Sequence, residues 1–276
     1  AGIAKDLSNK IVVKSTHTLE RSENALKVEV DTAGLAVNSV FSPTFAPGGQ
    51  AVNYGYLGGG FIFGNNVDGY DESAQGYFNY DELNFDIDEV LIMLAGKITD
   101  GGGTTGDATV SIMSMADNKA ANDDGNGGAA LNSLGPDAVL GTATVAYTAL
   151  DSTFGALSSV TFSPAVSVSG THFAVSFDAS DFSVEGDSLG VLGDQDGEGQ
   201  EMAFHYVNGN WYVTNFAFGG SLDANIALFP VINDWNVGID GEEFLNGVQM
   251  SAYPNPAQSN VSIAFNTNTY FNNLTL

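Results

Sequence analysis

The pair Asn208-Gly209 constrains the fold of this chain more than any other feature. It stands between two segments of alternating apolar and polar residues, 202–207 and 210–213. A two-residue type I′ turn needs positive φ at both central positions, and Asn-Gly adopts this conformation readily. The sequence therefore predicts a tight antiparallel hairpin. Alternation places Tyr206 and Trp211 on one face of that hairpin, with Tyr212 on the other.

The remainder of the chain also has the pattern of short strands. Branched and aromatic residues recur in segments bounded by Gly, Asn, Asp and Pro, and helical periodicity is nearly absent. The predicted strands are 26–30, 77–80, 85–94, 108–115, 142–147, 159–162, 166–168, 172–177 and 224–232. Short strands at regular spacing predict an all-β protein whose main domain is an antiparallel jelly-roll-like β-sandwich.

The composition divides the chain into four parts. Residues 1–50 form an N-terminal segment that we expect to pack on the main β-sandwich domain, residues 51–232. Residues 233–250 are acidic and polar without sustained alternation, which is typical of a linker. Residues 251–276 then begin a second, small β unit.

The charge of the chain limits its partners. It has 33 acidic and 7 basic residues, a net charge of −26, and every basic residue lies at or before Lys119. Such a surface repels nucleic acid phosphates and anionic lipid headgroups. No apolar run approaches the roughly 20 residues that span a bilayer. We therefore expect neither nucleic acid binding nor direct membrane insertion.

One acidic loop has the chemistry of a calcium site. Asp194, Asp196, Glu198 and Glu201 place carboxylates close together among glycines, and calcium prefers oxygen ligands on flexible backbone. The twelfth position of an EF-hand loop beginning at Asp194 would be His205 instead of glutamate, which argues against an EF-hand. The two interpretations left are a simpler calcium-stabilised loop, which makes calcium the possible cofactor, and a solvated acidic turn.

Three aromatic residues around the hairpin are candidates for ligand binding: Trp211, Tyr212 and Tyr206. An exposed aromatic face beside carboxylates suits stacking on a sugar ring. The alternative is that these side chains fill the core, because aromatic residues dominate the interior of β-sandwiches.

No catalytic residue can be assigned from the sequence. His17, His172 and His205 are scattered without the spacing of metal ligands. The chain has neither a Gly-x-Ser-x-Gly nucleophile elbow nor a phosphate-binding loop. The absence of cysteine excludes disulfides and thiolate nucleophiles. We therefore expect a protein that is not an enzyme.

A short motif near the C-terminus carries a family resemblance. Tyr253, Pro254, Asn255 and Pro256 form a proline-fixed turn, and an apolar alternation follows at 261–265. This motif resembles the start of the type A C-terminal sorting domain that Bacteroidetes-type bacteria attach to cargo of the type IX secretion system. The resemblance implies export by that route, with the translocon and its shuttle proteins as partners. It also implies a secreted or cell-surface location outside the outer membrane. Such domains continue for several more strands, so only their beginning is present here.

A second resemblance covers roughly residues 55–232. Motifs at 61–66, 162–166, 186–190, 210–212 and 226–231 are similar to an uncharacterised β domain of surface proteins from the same bacteria. That resemblance implies a sugar-binding, adhesive or structural module. We therefore expect a non-catalytic adhesive or structural β-sandwich. The alternatives are a carbohydrate-binding module, a self-assembling filament or surface-layer subunit that binds copies of itself, and a hydrolase with two facing carboxylates in a cleft.

Overall fold

The computed structural model describes residues 11–18, 31–35, 41–46, 49–56, 59–65, 72–80, 82, 84–99, 106–123, 129–184, 187–233, 248–253 and 262–267. The chain divides into two compact units, Ala1–Trp235 and Asn236–Leu276. Strands dominate the described residues, and nearly all of their pairings are antiparallel. The predicted all-β, antiparallel fold is therefore confirmed. The predicted strand at 26–30 lies outside the described residues.

The first unit contains sixteen of the described strands, two short α-helices and, among the described residues, a 3-10 helix at Tyr147–Ala149. The strands are β1 (Ile11–Thr18), β2 (Asp31–Thr32), β3 (Phe41–Ser42), β4 (Gln50–Tyr56), β5 (Glu72–Asn79), β6 (Phe85–Ile92), β7 (Leu94–Ile98), β8 (Asp107–Asp123), β9 (Ala129–Ala146), β10 (Ser158–Val168), β11 (His172–Asp178), β12 (Ser188–Val191), β13 (Gly193–Asp194), β14 (Ala203–Val207), β15 (Asn210–Val213) and β16 (Leu228–Asn233). The helices are α1 (Ser180–Val184) and α2 (Thr214–Ala217).

Two sheets form the body of this unit. One has four strands in the order β10-β6-β16-β2. The other has seven, in the order β11-β5-β14-β15-β8-β9, with β3 on β5. Because β8 also pairs with β11, the strands β8, β11, β5, β14 and β15 pair in a closed circuit. The β15–β8 contact in that circuit is parallel. Smaller sheets, β1-β4-β13 and β12-β7, complete the unit.

An aromatic cluster joins the two large sheets face to face. The Phe85 ring of β6 lies 5.3 Å from the Phe173 ring of β11 in an edge-to-face contact. Tyr77 of β5 stacks on Phe173 at 5.3 Å, and its hydroxyl donates a 2.6 Å hydrogen bond to the carbonyl of Leu228 in β16. All three rings are buried. The packed faces form a sandwich around one core.

The predicted hairpin is present with the predicted turn. β14 pairs with β15, and φ is 51° at Asn208 and 83° at Gly209. The predicted alternation is also present, because Tyr212 faces the main core whereas Trp211 joins a second apolar cluster on the opposite face of the sheet. That second cluster consists of Ala74, Met113, Ala120, Ala174, Met202, Phe204, Trp211 and Val213.

Some strands differ from the prediction in length. β9 begins at Ala129, well before the predicted 142–147. The predicted strands 159–162 and 166–168 form the single strand β10, because a register shift between Thr161 and Val166 accommodates Pro164 at the sheet edge.

The segments that flank the predicted main domain also form strands. Before residue 51, β1, β2 and β3 are members of the sheets. In the second unit, β17 (Val248–Tyr253) pairs with β18 (Ser262–Thr267), and β17 begins before the end of the predicted linker. Tyr253 is the last residue of β17, whereas Pro254, Asn255 and Pro256 lie outside the described residues.

Candidate functional site

A groove of about 450 Å³ opens on the face of the seven-stranded sheet that carries the second apolar cluster. Strands β5, β8, β9, β14 and β15 all contribute to its walls. It is lined by Glu72, Met113, Lys119, Leu131, Pro136, Asp137, Val139, Tyr206, Gly209, Asn210 and Trp211. Its lining combines apolar side chains with polar and charged ones in similar measure.

Two aromatic side chains form one wall of the groove. Tyr206 and Trp211 face each other across the hairpin in register, and their ring centroids are 5.1 Å apart. Tyr206 is 38% exposed, whereas Trp211 is 7% exposed and anchored in the second apolar cluster. The hairpin therefore presents an accessible tyrosine ring supported by a fixed tryptophan. Such amphipathic rings bind ligands that have one apolar face and a polar periphery.

An ion pair lies at another part of the groove. The Lys119 ammonium of β8 contacts the Asp137 carboxylate of β9 at 2.5 Å. The two strands shift register between Ala116 and Ala120, and Asn118 has a φ of 60° within that irregularity. A bulge redirects side chains locally. The irregular β8–β9 ladder thus brings a cation and an anion to the groove without adding net charge.

Glu72 is the titratable group of the groove whose pKa is shifted most. It begins β5 and lies between Tyr206 of β14 and Asp178 of β11 in the sheet register. Burial raises the pKa of Glu72 to about 7, and the nearby Asp178 carboxylate raises it further. Near neutral pH the carboxyl group is therefore present in both protonation states and can donate or accept a hydrogen bond.

Tyr212 and His205 lie away from the groove. Tyr212 is 4% exposed in the main core. The buried His205 ring contacts the Thr214 hydroxyl at 2.9 Å and the Ile62 carbonyl at 2.8 Å, which identifies Nε2 as the donor to that carbonyl. Burial lowers the pKa of His205 to about 4, so the ring is neutral at physiological pH. The structure therefore brings two of the three aromatic candidates together, Tyr206 and Trp211, and separates Tyr212 from them.

Asp194, one of the calcium candidates, is surrounded by protein donors. Its buried carboxylate accepts hydrogen bonds from the backbone N–H groups of Ala46 at 3.0 Å and Asn225 at 2.6 Å. It accepts a third, of 2.7 Å, from the Asn225 side chain. Burial raises the pKa of Asp194 to about 7, although these hydrogen bonds act in the opposite direction. Asp194 therefore joins three chain segments: 41–46, β13 and the loop before β16.

The other calcium candidates lie on the rest of the same loop. The Asp196 carboxylate accepts a 2.7 Å hydrogen bond from the N–H of Asp223. The Glu201 carboxylate accepts one of 3.3 Å from the Asn122 side chain, and the Glu198 carbonyl accepts one of 2.9 Å from Asn225. Among the described residues, no three His, Asp or Glu side chains form a group that could hold a metal ion. Calcium binding by this loop stays a prediction.

The groove contains residues that the sequence analysis did not single out as site residues. Glu72, Lys119 and Asp137 come from strands whose pairing across the sheet is not readable from local patterns. Only Lys119 had a signal in the sequence: the basic residues are confined to the first part of the chain, and Lys119 is the last of them.

Comparison with known proteins assigns no family to the chain, which matches no family model, no curated protein and no solved structure. Within the described part of the chain, no helix is long and apolar enough to cross a membrane.

Proposed function

We propose that this chain is a secreted β-sandwich module that binds a neutral carbohydrate without modifying it. The observation that carries the proposal is the exposed Tyr206 ring, supported by Trp211 and bordered by Glu72, Asn210 and the Lys119–Asp137 pair. A sugar ring has apolar C–H faces and a periphery of hydroxyl groups. An aromatic wall with donors and acceptors around it matches both parts.

The charge of the protein favours a neutral ligand. The net charge of −26 repels polyanions over the screening length of the solvent. In the groove the one cation, Lys119, is already paired with Asp137. A free carboxylate or sulfate on the ligand would therefore have no unpaired cation of the groove to contact. Hydroxyl groups, in contrast, can bond to both members of an ion pair.

The export route completes the proposal. The motif from Tyr253 to Pro256 supports secretion by the type IX system, with the translocon and its shuttle proteins as partners. A glycan-binding module delivered outside the outer membrane would act as an adhesive element of the cell surface. Calcium is a further part of the proposal, bound at the 194–201 loop through the exposed carboxylates of Asp196 and Glu201.

Tyr206 offers the clearest test of the carbohydrate proposal. We expect the protein to bind neutral glycans on a broad array, and Tyr206→Ala to weaken that binding by about tenfold, since single aromatic residues dominate such contacts. Tyr80→Ala is the matched control, because Tyr80 is 67% exposed and lies outside the groove. Binding is measured by calorimetry with the best glycan of the array.

Two outcomes of that experiment would reject the proposal. One is the absence of any signal from the wild-type protein across the array. The other is an equal affinity of Tyr206→Ala and Tyr80→Ala for a glycan that the wild-type protein binds.

One observation favours a hydrolase as the second candidate. Glu72 and Asp137 both line the groove, and one carboxyl has a raised pKa while the other lies beside an ammonium group. Glycoside hydrolases use a protonated carboxylic acid together with an ionised carboxylate. This candidate predicts that a bound glycan is cleaved, whereas the binding module leaves it intact.

A further inference from the structure

The groove has a second apolar wall, on the side of β9. Leu131, Pro136 and Val139 of this strand line the groove, and Leu131 and Val139 are 43% and 55% exposed. The strand order of the sheet places β8 between β15 and β9. The aromatic wall, Tyr206 and Trp211, and the aliphatic wall of β9 therefore lie on either side of β8. A ligand that fills the groove contacts apolar side chains on both sides.

The strand between the two walls supplies a cation to the groove. Lys119 belongs to β8, and its ammonium group contacts the Asp137 carboxylate. Both side chains are partly exposed. Their contact uses a single donor of the ammonium group and a single acceptor site of the carboxylate, so both groups can still bond to hydroxyl groups. A sugar ring held between the walls therefore finds polar partners along its edge and apolar ones at its faces.

Two apolar walls restrict the stereochemistry of a sugar in the groove. Axial hydroxyl groups project from the face of a pyranose ring, whereas equatorial ones project from its edge. In a β-linked glucose unit every hydroxyl group and both glycosidic oxygens are equatorial, so both faces carry only C–H groups. Mannose and galactose each have one axial hydroxyl group, which would meet a wall and lose its hydrogen bonds to water without a replacement. The aromatic wall alone would accept all three sugars, because each of them has at least one apolar face.

We propose that the groove binds a β-linked glycan whose ring substituents are all equatorial, as in a β-glucan, with one ring face on Tyr206 and the other on Val139. This inference rests on the proposed carbohydrate function and specifies the class of its ligand. Equatorial hydroxyl groups of the glycan bond to the Lys119–Asp137 pair. A β-glucan carries no charge, which agrees with the net charge of −26 of the protein. The preference for this class comes from the two walls together.

Calorimetry with matched tetrasaccharides tests the ligand class. Cellotetraose and laminaritetraose are β-glucans, β-linked mannotetraose has one axial hydroxyl group in each unit, and maltotetraose has axial glycosidic bonds. We expect the protein to bind at least one of the β-glucans about tenfold more tightly than mannotetraose and maltotetraose, because an axial oxygen is left unpartnered against a wall. Equal or tighter binding of mannotetraose or maltotetraose would overturn the inference and leave the proposed function intact. Binding of another glycan of the array but of neither β-glucan would do the same, whereas no binding of any glycan would reject both.

Val139→Ser tests the aliphatic wall. It is expected to weaken β-glucan binding by about fivefold, because it removes apolar contact area, and to narrow the preference over mannotetraose, because the serine hydroxyl can bond to an axial hydroxyl group. Leu140→Ser is the matched control, since the neighbouring Leu140 is also exposed but does not line the groove. This variant is expected to keep the wild-type affinity and preference, and circular dichroism verifies that both variants fold. A folded Val139→Ser variant with wild-type affinity and preference would overturn the inference.

Discussion

Replacing Asp194 with alanine is expected to lower the free energy of unfolding by about 3–5 kcal/mol. The Asp194 carboxylate accepts three hydrogen bonds, from the backbone of Ala46 and from both the backbone and the side chain of Asn225. Alanine leaves these buried donors without an acceptor. Asn225 also contacts the Gln75 side chain, so the loss extends to β5. Urea unfolding followed by circular dichroism measures the difference.

Asp196→Ala is the matched control for Asp194→Ala. Asp196 is exposed and its carboxylate accepts one hydrogen bond, from Asp223. With chelator present in all samples, so that calcium contributes nothing to the comparison, we expect a loss below about 1 kcal/mol. Equal losses for the two variants would contradict the structural role of Asp194.

Thermal melts of the wild-type protein with and without a chelator test whether calcium is bound. If calcium is bound, the melting temperature is expected to be several degrees lower with chelator than without it. An unchanged melting temperature would remove calcium from the proposal.

Glu72→Gln is expected to stabilise the protein at alkaline pH and not at acidic pH. The folded-state pKa of Glu72 is about 7, above the unfolded value of about 4.3. The folded protein therefore holds a proton that the unfolded chain has lost, and its stability falls as pH rises between these values. Glutamine has no proton to lose. At pH 8 we expect the variant to be more stable than the wild-type protein by about 1–2 kcal/mol, a figure reduced for partial exposure.

The comparison is made by urea unfolding at pH 4 and pH 8. The raised pKa of Asp194 affects both proteins equally and therefore cancels from the difference. Glu82→Gln removes the same charge at an exposed position outside the groove and is not expected to show the pH-dependent gain. A Glu72→Gln variant no more stable than the wild-type protein at pH 8 would contradict the burial of this carboxyl group.

Glu72→Gln also separates the two candidate functions. A carboxylate that destabilises the folded protein at neutral pH is typical of a functional site. If the groove belongs to a hydrolase, the wild-type protein releases reducing ends from its glycan and Glu72→Gln abolishes the release. If it belongs to a binding module, the glycan stays intact with both proteins and only the affinity changes.

The hairpin shows which part of the fold local patterns can predict. Asn208-Gly209 defines the turn, and the period of two then assigns the faces of Tyr206, Trp211 and Tyr212 without reference to the rest of the chain. The strand character of β5, β6, β8, β11 and β16 follows from branched and aromatic residues in the same way. These elements need only short-range information.

The groove and the Asp194 contacts need long-range information. Asp194 is buried because it meets Asn225, 31 residues away, and Ala46, 148 residues away. Without those partners its sequence context is that of a solvated acidic loop. Similarly, Glu72 becomes a groove residue because β5 pairs with both β14 and β11. A single sequence contains no signal for pairings of this separation.

The fluorescence of Trp211 tests the central claim, that the groove binds carbohydrate, most directly. The chain has two tryptophans, Trp211 and Trp235, so Trp235→Phe leaves Trp211 as the single reporter. Titration with the best glycan of the array is expected to give a saturable blue shift of the emission and reduced quenching by acrylamide, because the ligand displaces water from the groove. A glycan that binds by calorimetry while the emission and quenching of Trp211 remain unchanged would contradict the claim.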